Sequence, residues 1–109
     1  MNTIKKIEKQ IQENPVLIYI KGTPDNPSCG FSSQAVTALK TCSDNFSYVD
    51  ILQHPDIRKE LPKYSDWPTF PQLWVSGKLI GGCNIILEMV EKNELKKIID
   101  NAFKKIDKI

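Results

Sequence analysis

A chain of 109 residues, 40% hydrophobic and 26% charged, has the composition of an ordinary globular protein and the length for one domain, residues 1–109. Its formal net charge of +2 argues against a nucleic-acid binder: the Lys-rich stretch from Lys92 to Lys108 also carries Glu94, Asp100 and Asp107 and reads as a solvated helix face. The longest apolar run, Val16 to Ile20, is strand-sized and far short of a membrane span, and Met1 to Lys6 lacks the apolar core of a secretory signal. Ile4, Ile7 and Ile11 recur at helical spacing until Asn14-Pro15 stops the pattern. Val16 to Ile20 then predicts a strand buried on both faces. Lys21 to Ser28 is a loop by its chemistry, since Gly22, Pro24, Asn26 and Pro27 all break regular structure.

From Cys29 a helix is expected, with Phe31, Ala35, Val36, Leu39 and Cys42 facing inward and Ser28 as its N-cap. Phe46 to Asp50 alternates like a strand. Pro55 suits the first turn of a helix carrying Ile57, Leu61 and Tyr64. Gln72 to Val75 and Lys78 to Ile80 flank Ser76-Gly77, a hairpin signature. Helical spacing resumes at Ile85, Ile86 and Met89, and again at Leu95, Ile98, Ile99, Ala102, Phe103 and Ile106. A strand, a crossover helix, a second strand and a later hairpin imply one α/β domain. Its single mixed four-stranded sheet carries helices on both faces, with the first two strands parallel.

Three cysteines at 29, 42 and 83 form neither an even disulfide framework nor a short metal-binding spacing. Odd, widely spaced thiols fit a reducing compartment, and Glu8 and Glu13 do not suit a transit peptide, so the expected location is the cytoplasm. Cys29 lies where the loop after the first strand meets a helix. Free N–H groups and the positive helix end favour a thiolate there, the form that attacks disulfides or binds metal. Lys21, at the start of the same loop, adds a positive charge. A buried, inert cysteine is the alternative, and Pro-Ser before Cys29 and Gly after it argue against burial. Cys29-Gly-Phe-Ser32 ends in serine, so no resolving thiol is at hand for the local disulfide of a Cys-x-x-Cys pair.

The run Lys21-Gly-Thr-Pro-Asp-Asn-Pro-Ser-Cys29-Gly-Phe-Ser32 resembles the signature of the monothiol, CGFS-type glutaredoxins. Pro62-Lys-Tyr64 with Trp67-Pro68, then Thr69 to Leu73, then Gly81-Gly-Cys83 follow in the family's order and spacing, so the resemblance covers about Lys21 to Met89. The similarity is to the stand-alone, single-domain bacterial form. It implies a thioredoxin-like fold with a groove for glutathione, in which Lys21 and Arg58 grip the carboxylates. It also implies a cis bond before Pro71 that exposes the backbone of Phe70 to the glutathione peptide, and a γ-glutamyl carboxylate held by the N–H groups of Cys83 and Asn84. Gly81-Gly82 would let the chain approach closely. The family usually has aspartate where this chain has Asn84; asparagine is expected to cap the helix but offers no charge to the glutathione ammonium.

Cys42 is expected to be a small core hydrophobe, and His54, before Pro55, a surface residue. Cys83 either presents only its backbone or forms an occasional disulfide with Cys29. Trp67 and Trp74 are packing residues, with Trp67-Pro68 shaping the groove rim. A [2Fe–2S] cluster needs four ligands, which two copies of Cys29 and two glutathione thiolates supply. The resemblance therefore implies cluster carriage in a cluster-bridged homodimer, with BolA-type proteins and iron–sulfur acceptor proteins as partners. The competing reading is a glutathione-dependent oxidoreductase in which Cys29 attacks glutathionylated substrates. The seven residues between Lys21 and Cys29 count against efficient turnover, because the dithiol relatives have a shorter loop. A thioredoxin-fold adaptor without redox chemistry leaves Cys29 and the groove unexplained.

Overall fold

The structure is a computed structural model that describes residues 2–107. The elements come in the expected order: α1 (Thr3–Glu13), β1 (Val16–Ile20), α2 (Gly30–Cys42), β2 (Ser47–Asp50), α3 (Pro55–Ser65), β3 (Gln72–Val75), β4 (Lys78–Gly81), α4 (Cys83–Glu91) and α5 (Leu95–Asp107). The expectations for Met1, Ile106, Asp107 and Lys108 concern side chains outside the described residues.

The four strands form one sheet in the order β2-β1-β3-β4. β1 runs parallel to β2, as a helical crossover requires, and antiparallel to β3, which is itself antiparallel to β4. All five residues of β1 are buried, because β1 has a strand on either side and helices above and below. Val16, Ile18 and Ile20 meet α2, α4 and α5 through Ala35, Leu39, Ile86, Leu95 and Ile99. The alternate residues Leu17 and Tyr19 point the other way, to Ile7 and Ile11 of α1 and Ile57 and Leu61 of α3. Burying Tyr19 pushes its phenol far above the usual range, and its hydroxyl stays satisfied by donating to Gln10 Oε1 at 2.9 Å.

The β3–β4 turn has positive φ at both central residues, Ser76 (52°) and Gly77 (77°), the condition for a two-residue hairpin of the type that matches strand twist. Pro55 takes the first turn of α3, preceded by half-buried His54. Four local expectations fail. Cys29, not Ser28, is the N-cap of α2, because the first intrahelical bond runs from Ser33 N–H to Cys29 C=O at 2.9 Å, while Ser28 still belongs to the preceding loop, its N–H donating to Lys21 C=O at 2.9 Å. Phe31 is 62% exposed, since the buried stripe of α2 passes through Ser32 and a neighbouring residue is rotated about 100° away. Tyr64 is also exposed, at the edge of α3, with its ring centroid 6.3 Å from that of buried Trp74. Cys42 is only half-buried, packed against the margin of the larger core.

Candidate functional site

Lys21, Cys29, Arg58, Phe70, Cys83 and Asn84 come from five separate stretches of chain and line one groove of about 750 Å³. Its walls are completed by Phe31, Pro62, Trp67, Pro68, Thr69, Gly82 and Ile85. Two cations and no carboxylate line it. Among the described residues neither Lys21 nor Arg58 takes part in an ion pair, so both remain open to an anionic ligand.

The loop that carries Cys29 is tightly closed. Gly22 and Pro27 pair as an isolated antiparallel bridge, and Thr23 and Asn26 exchange backbone hydrogen bonds at 3.3 and 3.1 Å. Gly22 has φ 93°, and a Cβ there would lie 2.6 Å from Asn26 C=O, so only glycine fits. Gly22 N–H donates to Asp50 Oδ1 at 2.9 Å, which ties the loop to the end of β2. These bonds return the chain on itself, so the seven intervening residues still leave Lys21 in the same groove as Cys29.

As N-cap of α2, Cys29 faces backbone donors that the first helical turn cannot satisfy internally. The Ser32 N–H holds its thiol below the ordinary value, helped by the N–H of Phe31, the Ser32 hydroxyl and the charge of Lys21, against a partial offset from burial. The sulfur of Cys29 thus stands at the position a capping oxygen takes in other helices, and its lowered pKa favours the thiolate form. Ser32, where a resolving cysteine would sit, is fully buried, and its Oγ accepts from Lys21 N–H at 3.1 Å. Cys83 behaves oppositely: burial, then the nearby charge of Cys29, pushes its thiol up, and its S–H donates to Gln34 Oε1 at 3.6 Å.

On the opposite wall the Phe70–Pro71 peptide is cis, and Trp67, Pro68 and Thr69 form the rim. Trp67 and Pro68 thus shape the rim as expected, while Trp74 packs in the core. Gly81 has φ 147°, and a Cβ there would meet Ile85 Cδ1 at 2.6 Å, so the two glycines do bring the chain into close approach. Gly82 is the N-cap of α4, and Cys83 and Asn84 are its first two residues, with their N–H groups at the helix start. Asn84 therefore does not cap the helix: the cap position falls two residues earlier, and Asn84 is exposed beside the groove. The residue that sequence reasoning passed over is Ser32, noted only as the absence of a thiol.

The sequence model described as Glutaredoxin matches residues 16–80. The chain belongs to the glutaredoxin family. Its match to "Glutaredoxin 4" of Buchnera aphidicola subsp. Schizaphis graminum is 69% identical, covering 94% of this chain and 95% of that relative. "Glutaredoxin 4" of Escherichia coli K12 is 64% identical over 89% of this chain and 84% of its own length. Reduced apo GrxS14 from poplar, determined in solution, superposes with a TM-score of 0.77 at 38% identity, covering 92% of each chain. With one thiol in Cys29-Gly-Phe-Ser32, this glutaredoxin is of the monothiol kind, on the thioredoxin-like fold of its relatives.

Proposed function

We propose that this glutaredoxin carries a [2Fe–2S] cluster as cargo, ligated by Cys29 and by glutathione held in the groove, and passes it to acceptor proteins. The observation that carries the reading is a single thiol with a lowered pKa in a cationic groove, with a buried hydroxyl at Ser32 where a disulfide partner would be. Among the described residues no group of three or more His, Cys, Asp or Glu could hold a metal ion. Ligands from outside the chain are therefore needed, and two Cys29 thiolates with two glutathione thiolates make the four that such a cluster takes. Lys21 and Arg58 suit the two carboxylates of glutathione, and the N–H groups of Cys83 and Asn84 suit the γ-glutamyl end. The backbone of Phe70 suits the peptide in between.

This arithmetic favours a cluster-bridged homodimer, or a heterodimer with a BolA-type protein that supplies other ligands. Three free cysteines support assignment to a reducing compartment, the cytoplasm. Reconstitution with iron, sulfide and glutathione tests the reading: a visible iron–sulfur spectrum supports it, and a colourless protein after complete reconstitution rejects it.

The lowered Cys29 pKa also favours a second activity. The Cys29 thiolate would attack a protein–glutathione disulfide, release the protein thiolate and become glutathionylated; a second glutathione thiolate would then take the adduct away as glutathione disulfide. Turnover of a glutathionylated peptide measured beside the reconstitution ranks the two activities.

A further inference from the structure

Two polar side chains are fully buried among the described residues, Ser32 and Gln72. Ser32 belongs to the Cys29 turn. Gln72 opens β3 and does not line the groove. Its Nε2 donates to Trp67 C=O at 3.0 Å and Thr69 C=O at 3.3 Å, while its Oε1 accepts from Trp74 Nε1 at 3.3 Å. Only one amide orientation satisfies all three, because an indole N–H can only donate and a carbonyl can only accept. Trp74 is itself buried and paired with Leu17 of the central strand, so the amide is referenced to the rigid sheet.

We propose that Gln72 is the positioning residue of the 67–70 wall, setting its geometry for the bound glutathione without touching that ligand. The inference rests on the glutathione reading of the groove. The chain from Asp66 to Pro71 has no helix or strand to hold it, yet Trp67, Pro68, Thr69 and Phe70 all line the site. Gln72 supplies the donor for Thr69 C=O, and Trp67 C=O has besides it only a long 3.5 Å contact from Ser65 Oγ, whose shorter bond goes to Leu61 C=O. Partly buried carbonyls stripped of their donor turn toward water, and both belong to residues that line the groove. The displacement would not stop at this wall. A Cβ on Gly82 would stand 3.3 Å from both Trp67 Nε1 and Pro71 C=O, so the indole lies close beside the turn that starts α4 with Cys83 and Asn84. Cys29 is held by α2 and by its own loop, so its thiolate is independent of Gln72.

Neither side chain of similar length serves here. Glutamate keeps the acceptor for Trp74 but turns a carboxylate toward two carbonyls, and methionine keeps the length with no donor. The experiment titrates glutathione into the wild-type protein, Gln72→Met and Gln72→Glu by calorimetry, after circular dichroism has shown each to be folded. Iodoacetamide alkylation of Cys29 is followed in parallel. Glutathione affinity is expected to fall about tenfold in both variants with the Cys29 alkylation rate unchanged, a split that loss of stability alone does not produce. Unchanged affinity in folded Gln72→Met overturns the inference, as does an equal loss in alkylation rate. Should neither Gln72 variant fold, Trp74→Phe removes the N–H that orients the amide together with part of the buried indole; in folded Trp74→Phe, a loss of about threefold with the alkylation rate unchanged supports the inference and no loss overturns it. Wild-type protein that does not bind glutathione overturns the reading of the groove itself, an outcome distinct from binding that ignores Gln72.

Discussion

The backbone N–H of Lys21 donates to Oγ of Ser32 at 3.1 Å, which joins the two ends of the Cys29 loop through a side chain with no exposed surface. The same hydroxyl is among the groups that lower the Cys29 pKa. Serine at this position is therefore a structural tie and a thiolate donor.

Ser32→Ala is expected to raise the Cys29 pKa only partway toward the ordinary thiol value, because the larger contribution comes from the Ser32 backbone N–H and survives the change. Leaving the Lys21 N–H without its acceptor costs on the order of 1 kcal/mol of stability. Thiolate absorbance against pH, with urea denaturation beside it, gives both quantities. A Cys29 pKa equal to wild type would remove the hydroxyl from the account.

The two groove thiols should separate by pH. Near neutrality Cys29 is expected to react with iodoacetamide well before Cys83, whose thiol is pushed up chiefly by burial. Replacing Cys29 by serine removes the smaller, charge-based cause, so the Cys83 pKa should fall yet stay above the ordinary value. Mass spectrometry of labelled peptides across a pH series measures this. Equal labelling rates at every pH would contradict it.

Cys29→Ser is expected to abolish the reconstituted chromophore. Cys42→Ser and Cys83→Ser should largely keep it, since Cys42 lies at the margin of the core and Cys83 is a hindered, protonated thiol. A cluster retained by Cys29→Ser would show that the ligand assignment is wrong.

Cluster loading should convert monomer to dimer, and chelation of the iron should reverse it. Omitting glutathione should prevent assembly unless another small thiol replaces it. Light scattering coupled to size exclusion reports the change, and a cluster-bearing monomer made without added thiol would break the ligand count.

Asn84→Asp places a carboxylate at the second residue of α4, close to the positive helix end and beside the groove. A partly exposed contact to the glutathione ammonium contributes about 1 kcal/mol, roughly fivefold in affinity, and should weaken with added salt. Tighter glutathione should also slow cluster loss at fixed thiol concentration. Calorimetry and decay of the visible spectrum test both, and unchanged values would place residue 84 away from the ligand.

The succession of elements could be read from the chain because periodicity, Pro and Gly placement and the Ser76-Gly77 turn are local signals. The fully apolar Val16 to Ile20 marked the central strand for the same reason. So could the residues of the groove, whose types and order follow the family's pattern except at Asn84. What the sequence could not decide is which atom meets which across long separations. Phe31 and Ser32 both fit an inward stripe by spacing, and only the packing of α2 against the sheet buries the serine and leaves the phenylalanine exposed. Ser28 has the better capping chemistry, yet the loop closure with Lys21 keeps it outside the helix, and the first intrahelical bond, from Ser33 N–H, falls on Cys29 C=O. Asn84 likewise looked like a cap until the β4 hairpin set Gly82 there. Gln72 carries no local signal at all, because its three partners become visible only when the 67–70 segment folds back over β3. Hydrogen bonds of that kind depend on distances near 3 Å between groups brought together by the fold, and no periodicity in the chain encodes them.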